Sequence, residues 1–435
     1  MKNLCITFLL LTGLFIGVSY KIKDDYFILP YPNAIEYVLV LLILLFTAVV
    51  VIWKKHRLKK LFLGLASAAT LLIVVNSMNY FLEWHPLNLS MPFTTSQSFE
   101  VSHEPYKWQT ATPASAGYNQ EDLEQYLREI EGWDRLRGLV VIKDGKLVVE
   151  KYQKGATRYS AFNVHSVTKS IMSALTGLSI QRGYLQSEND YVMPFFPEYQ
   201  KSEQNLHKEK LTVAHLLSMR GGFTGWDGPH SVEQVILKEE VSENKLGQEF
   251  KYFTGSQMVL SAMITKASKT TTKEFAQENL FKPLGIQCGF WRKVDGYYAG
   301  GDETYFTARD LARFGELYLN KGKVNGVQLL DSSWVDKSFT NYTNESKSFR
   351  TLDCYEEVGY GYSWWLLDYN GNLKYTARGK GGQHILILPE ENVVAVILQE
   401  WNMQKDVVKE NAYLCKLLSL LTKENKTTAY NTAHE

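Results

Sequence analysis

The tetrad Ser166-Val167-Thr168-Lys169 is the part of this sequence best suited to covalent chemistry. A serine hydroxyl is a weak nucleophile until a base takes its proton, and a lysine can be that base only where desolvation or a neighbouring cation lowers its pKa. Residues three apart on a helix share a face, so the Lys169 amine can reach the Ser166 hydroxyl within one turn. A helix starting at Ser166 also offers backbone N–H groups that favour a developing oxyanion. The four-residue pattern alone is a weak signal. Ser242-Glu243-Asn244-Lys245 repeats it in a polar segment with no apolar face and is read as a chance match. Neither copy is accompanied by a His-Glu-x-x-His pair, a Walker loop or a dinucleotide fingerprint, and no metal site is expected.

The flanking residues predict the elements that must hold this tetrad. Within 166–182, Ile171, Ala174, Leu175 and Leu178 recur at helical spacing, and Gly183 follows as a helix stop. Upstream, 119–130 reads as a helix with Asn119 as cap and acidic residues in its first turn. The β-rich runs 138–142 and 146–152 are joined through Asp144-Gly145, a hairpin signal. Late in the chain, 360–367, 373–377, 383–388 and 393–399 read as four short strands, followed by a helix over about 404–421. This order predicts one antiparallel sheet built from both ends of the domain, with the mostly helical middle forming a lobe beside it.

Longer segments narrow the chemistry. Phe162-Asn163-Val164-His165-Ser166-Val167-Thr168-Lys169-Ser170 resembles the active-site segment of class C β-lactamase-like serine hydrolases. The likeness is to the esterase and 6-aminohexanoate-dimer hydrolase branch of the serine β-lactamase and penicillin-binding-protein superfamily. Similar segments recur downstream in the family's order: 211–222, Pro283-Leu284-Gly285-Ile286, 307–315 and Gly379-Lys380-Gly381-Gly382-Gln383. The resemblance thus spans roughly 113–421 and implies a β-lactamase/transpeptidase-like fold, α+β, with Ser166 as nucleophile and Lys169 as base. It also implies that Tyr252, standing where the family has a Y-x-N tyrosine, assists proton transfer. The backbone N–H of Lys380, with that of Ser166, is assigned to the oxyanion hole, and Thr254, Gly379, Gly381 and Gln383 to substrate contacts. Thr254 in place of asparagine, and the missing K-T-G, remove groups that hold β-lactams, so an ester or amide is the expected substrate. A literal Y-x-N, Tyr342-Thr343-Asn344, lies in a polar stretch and is read as loop. His165 is expected to point to another face than Ser166, and His215 and His384 to pack or cap.

Composition excludes other classes. With 47 Lys and Arg against 46 Asp and Glu, the chain has no charge excess for a nucleic-acid partner. Of its four cysteines, Cys5 lies in an apolar stretch; one disulfide among Cys288, Cys354 and Cys415 fits the sequence, which does not select the pair. Three apolar stretches, roughly 4–19, 34–53 and 61–82, predict transmembrane helices, because about 20 apolar residues cross a bilayer. The first is read as an uncleaved helix rather than a signal peptide. The basic loop 54–60 places that side in the cytoplasm and everything after about 83 outside it. The expected organisation is therefore a membrane anchor at 1–87, a linker at 88–107, a hydrolase domain at 108–422 and a flexible tail at 423–435. The expected partners are the membrane and a small or peptide substrate of cell-wall or other origin. No cofactor is required. The competing readings are a membrane sensor that binds cell-wall fragments, a D-amino-acid peptidase and an inactive scaffold.

Overall fold

The computed structural model describes residues 98–199, 207–225, 227, 231–343, 350–351, 354–401 and 407–422. An eight-stranded antiparallel sheet is its spine, in the order Arg350–Thr351, Glu356–Tyr360, Trp365–Tyr369, Asn372–Gly379, Gln383–Leu388, Val393–Gln399, Leu136–Lys143, Lys146–Tyr152. The early hairpin pairs with the last strand, Val396 opposite Val140, so both ends of the domain build one sheet. Asp144 (φ 50°) and Gly145 (φ 70°) take the left-handed turn that a two-residue hairpin requires.

Both faces of this sheet are buried, so its central strands run continuously apolar rather than alternating with polar residues. On one face Val394, Val396 and Leu398 pack with Leu311, Phe314 and Leu317 of the helix Ala308–Leu319. On the other, Val393, Ala395 and Ile397 meet Leu123 and Tyr126 of the helix Gln120–Glu129 and Leu414 and Leu417 of the helix Val407–Leu421. Asn119 caps the first of these outer helices through its side chain, as expected. A disulfide joins Cys354, at the sheet edge, to Cys415 on the closing helix. Cys288 is buried with a free thiol.

The helix Val167–Gln181 lies between the sheet and the lobe, buried all round from Val167 to Ser179, including its polar residues. It packs against the lobe helix Gly255–Ser268, itself buried from Gly255 to Ile264.

Three readings change. The strand expected over 360–367 is two, ending at Tyr360 and resuming at Trp365. Gly361 presses against the Ser338 carbonyl and Ser363 turns left-handed (φ 64°), which breaks the ladder. Part of the stretch 88–107 expected as linker is folded: Phe99–Glu100 pairs with Ser160–Asn163 in a four-stranded sheet completed by Thr304–Phe306 and Phe290–Trp291. The third correction concerns the fold class, an α+β domain preceded by transmembrane helices. The fold described is a mixed α and β one, and among the described residues no helix is long and apolar enough to cross a membrane. The two longest, Val167–Gln181 and Val407–Leu421, have 15 residues each. Such helices rise about 22 Å against the ~30 Å of a bilayer's hydrocarbon. The stretches 4–19, 34–53 and 61–82, and the tail 423–435, lie outside the described residues.

Candidate active site

Ser166 sits at the start of its helix because the preceding turn is tightly specified. Val164 donates its N–H to the Thr304 carbonyl at 2.9 Å, and the Asn163 side chain accepts from the His165 N–H at 2.9 Å. His165 is left-handed (φ 46°), a conformation that costs a residue with a side chain about 1–3 kcal/mol. The Thr168 hydroxyl closes the turn, bonding the His165 carbonyl at 2.6 Å and the Thr304 hydroxyl at 2.7 Å. The His165 ring meets Trp401 edge-on, with 5.9 Å between centroids.

Lys169 is 1% exposed. Its Nζ donates to Ser166 Oγ at 3.0 Å and to the Gly301 carbonyl at 2.7 Å, and lies 4.9 Å from the centre of the Tyr252 ring. The one-turn spacing read from the sequence therefore does bring hydroxyl, amine and phenol ring together. The second Ser-x-x-Lys does not: Lys245 is on the surface, paired with Glu249 at 2.8 Å.

Tyr252 is carried by an extended segment whose Lys251 N–H bonds the Met219 carbonyl at 2.8 Å. Beside it, Thr254 is nearly buried at the start of the helix Gly255–Ser268, its N–H donating to Asp227 at 2.6 Å. The Gly301 carbonyl is delivered by a chain segment that a larger residue there would push out of place. A Cβ on Gly301 would fall 2.5 Å from the Thr254 methyl and 3.5 Å from Lys169 Nζ. Across the same turn, Arg292 pairs with Glu303 at 2.9 Å and faces Asp302 at 3.7 Å. Burial pushes the Glu303 carboxyl up to about 7 against the opposing pull of Arg292.

The glycine-rich segment closes the opposite side. A Cβ on Gly379 would lie 2.2 Å from the Val164 carbonyl, so this strand end rests on the turn before Ser166. Gly381 (φ 85°) and Gly382 (φ 86°) are left-handed and packed against Trp401 and Gln399, which admits glycine alone. Lys380 is exposed, its Nζ 4.3 Å from the Trp401 ring. Gln383 is not at the site surface. It is fully buried, and its amide is spent on the Gln399 backbone, donating to the carbonyl at 2.7 Å and accepting from the N–H at 3.0 Å. His215 caps a short helix, Nδ1 accepting from the Thr212 N–H at 3.2 Å, and His384 is buried near Thr376. Tyr342 stacks on Tyr362 at 4.5 Å, and its motif partner Asn344 lies outside the described residues. Gly301, Asp227, Trp365, Arg378 and Trp401 were not singled out from the sequence; only the Gly300-Gly301 doublet carried a local signal.

Comparisons with known proteins bear on the family and the fold. A family model described as Beta-lactamase matches residues 123–416. The chain is 23% identical over 306 residues to the 6-aminohexanoate-dimer hydrolase of Paenarthrobacter ureafaciens, covering 64% of this chain and 75% of that protein. In fold it is similar to EstCE1, a hydrolase with promiscuous acyltransferase activity, at a TM-score of 0.56 and 16% identity over 69% of this chain and 98% of the other. It is similar also to the octameric penicillin-binding protein homologue of Pyrococcus abyssi, at a TM-score of 0.53 and 17% identity over 68% and 77%. Because the family match runs through both halves of the sheet and across the helix that bears Lys169, this chain belongs to the Beta-lactamase family and is a serine hydrolase.

Proposed function

We propose that the protein cleaves an ester or amide through an acyl-enzyme on Ser166. The observation that carries this reading is the 3.0 Å contact between Lys169 Nζ and Ser166 Oγ, made by an amine that is 1% exposed. Lys169 takes the hydroxyl proton as Ser166 Oγ attacks the substrate carbonyl carbon. The oxyanion rests on the backbone N–H groups of Ser166 and Lys380, which the packing of Gly379 on Val164 supports. The bond to the leaving alcohol or amine then breaks, and that group takes its proton from Lys169 by way of the Tyr252 phenol. Water attacks the ester on Ser166, giving its proton to Lys169; the bond from the carbonyl carbon to Ser166 Oγ then breaks, Oγ takes that proton back from Lys169, and the acid leaves. The named activities of the similar proteins, a 6-aminohexanoate-dimer hydrolase and a hydrolase with promiscuous acyltransferase activity, favour an ester or open-chain amide over a β-lactam.

The disulfide between Cys354 and Cys415 supports a setting outside the cytoplasm, where thiols oxidise and stay oxidised. The test of the catalytic reading is Ser166→Ala: it removes both turnover of short esters and labelling by a fluorophosphonate. Labelling that survives at the wild-type rate overturns the assignment. Lys169→Met is expected to slow labelling by about 100-fold or more, in the range of a lost general base.

A further inference from the structure

We propose that Arg292 is a positioning residue for the base: it clamps the loop 299–303 so that the Gly301 carbonyl stays against the Lys169 amine. The role rests on the acyl-enzyme reading above.

The loop runs from the short strand Tyr297–Tyr298 to the strand Thr304–Phe306, and both its ends are tied to one residue. The Arg292 carbonyl accepts from the Ala299 N–H at 2.9 Å, and the Arg292 N–H donates to the Glu303 carbonyl at 3.2 Å. The indole of the adjacent Trp291 donates to the Ala299 carbonyl at 2.7 Å. The Arg292 side chain, 11% exposed, then reaches back to the loop, its guanidinium 2.9 Å from the Glu303 carboxylate and 3.7 Å from that of Asp302. The inner side is closed by the helix Gly255–Ser268 and its cap. A Cβ on Gly300 would lie 2.0 Å from the Gln257 carbonyl, and one on Gly301 would lie 2.5 Å from the Thr254 methyl. The loop is therefore held between Arg292 and that helix.

What the clamp holds is the reacting pair. The Gly301 carbonyl accepts from Lys169 Nζ at 2.7 Å. Thr304, the first residue past the loop, accepts from the Val164 N–H at 2.9 Å, and its hydroxyl lies 2.7 Å from that of Thr168. The partner of the base and the turn before the nucleophile thus belong to one stretch, 299–304. Within it Glu303 is left-handed (φ 57°), a conformation that a residue with a side chain keeps only where its surroundings hold it. The ion pair supplies that hold. Without the guanidinium the Glu303 carboxyl has to find another partner or take up a proton, and the attraction that favours the turn is gone. The backbone bonds fix only the loop ends, so rotation at 302 and 303 swings the Gly301 carbonyl that lies between them.

The experiment measures fluorophosphonate labelling of Ser166 and steady-state hydrolysis of p-nitrophenyl acetate, each variant being assayed well below its melting temperature. Arg292→Met keeps the backbone bonds and most of the side-chain length while removing the charge. It is expected to lower the labelling rate and kcat by about 10–100-fold, the scale of a displacement of up to ~1 Å, with a change in KM of about threefold or less. Arg292→Lys still pairs with Glu303 and recovers most of the rate. Glu303→Ala gives a loss of the same size, and adding Arg292→Met to it costs little more, because the two substitutions break one pair. A folded Arg292→Met protein that labels at the wild-type rate overturns the role, as does an Arg292→Lys protein no faster than Arg292→Met. Where Arg292→Met fails to fold, Glu303→Ala decides: unchanged labelling overturns the role, and a loss that Glu303→Gln largely avoids supports it. A wild-type protein that takes no label refutes the acyl-enzyme reading and this role with it, whereas normal wild-type labelling that Arg292→Met leaves intact refutes the role alone.

Discussion

Replacing Gly301 by alanine tests whether catalysis depends on where the Lys169 amine is held. The Gly301 carbonyl accepts from Lys169 Nζ at 2.7 Å, so the backbone here, and not a carboxylate, fixes the amine against Ser166. The added methyl would stand 2.5 Å from the Thr254 methyl and 3.0 Å from the Thr254 carbonyl. Real Cβ atoms do not come within 2.5 Å of a methyl, and Thr254 is the N-cap of the buried helix Gly255–Ser268, so the 301 segment must withdraw. Overpacking of this kind costs about 1–3 kcal/mol. A withdrawal of even ~1 Å can cost about 100-fold in rate when it displaces a reacting group. Gly301→Ala is therefore expected to lower kcat by about 10–100-fold with a smaller change in KM, together with a lower melting temperature. The assay is steady-state ester hydrolysis in parallel with the rate of fluorophosphonate labelling, which reports Ser166 activation alone. A destabilised variant with wild-type kcat and labelling rate would show that the carbonyl packs the site without positioning the amine.

Further consequences concern pH, fold and redox state. Burial raises the Glu303 carboxyl from 4.5 to about 7, so the stability it contributes is complete below pH 4.5 and is lost as the pH rises through 7. Glu303→Gln is expected to flatten that dependence, with the difference between melting temperatures at pH 5 and pH 8 shrinking; an unchanged difference refutes the assignment. Gln383→Ala leaves two buried backbone groups of Gln399 without the partners they now have, at about 1–3 kcal/mol each. Chemical denaturation should register that loss while KM stays within twofold; a large rise in KM would restore Gln383 to the substrate surface. The Cys354–Cys415 disulfide closes a loop with a sequence separation of 61, so reduction should cost about 4 kcal/mol by the loop-entropy relation. Melting with and without a reductant reads this, and no shift in the melting temperature would mean that the bond constrains little.

What could be read in advance was local or periodic. The Ser166–Lys169 pair lies within one helical turn, and its contact follows from helix geometry wherever that helix is placed. The Asp144-Gly145 hairpin, the Asn119 cap and the strands Gln383–Leu388 and Val393–Gln399 follow from short-range rules for the same reason. Longer apolar runs before residue 98 suggested membrane helices; those stretches lie outside the described residues, among which no helix is long and apolar enough to cross a membrane.

Tertiary structure decided which groups surround the pair. Gly301 reaches Lys169 across 132 residues of chain, and Trp365 reaches Tyr252 across the lobe–sheet boundary, distances over which no sequence period operates. Gln383 shows the converse. Its place in a family-like motif suggested substrate contact, but the turn of Gly381 and Gly382 directs its amide to the Gln399 backbone. A hydrogen bond or a helical turn is short-ranged, so a tetrapeptide can encode it. Burial and the partner of a buried amine depend on chain segments brought together only by folding.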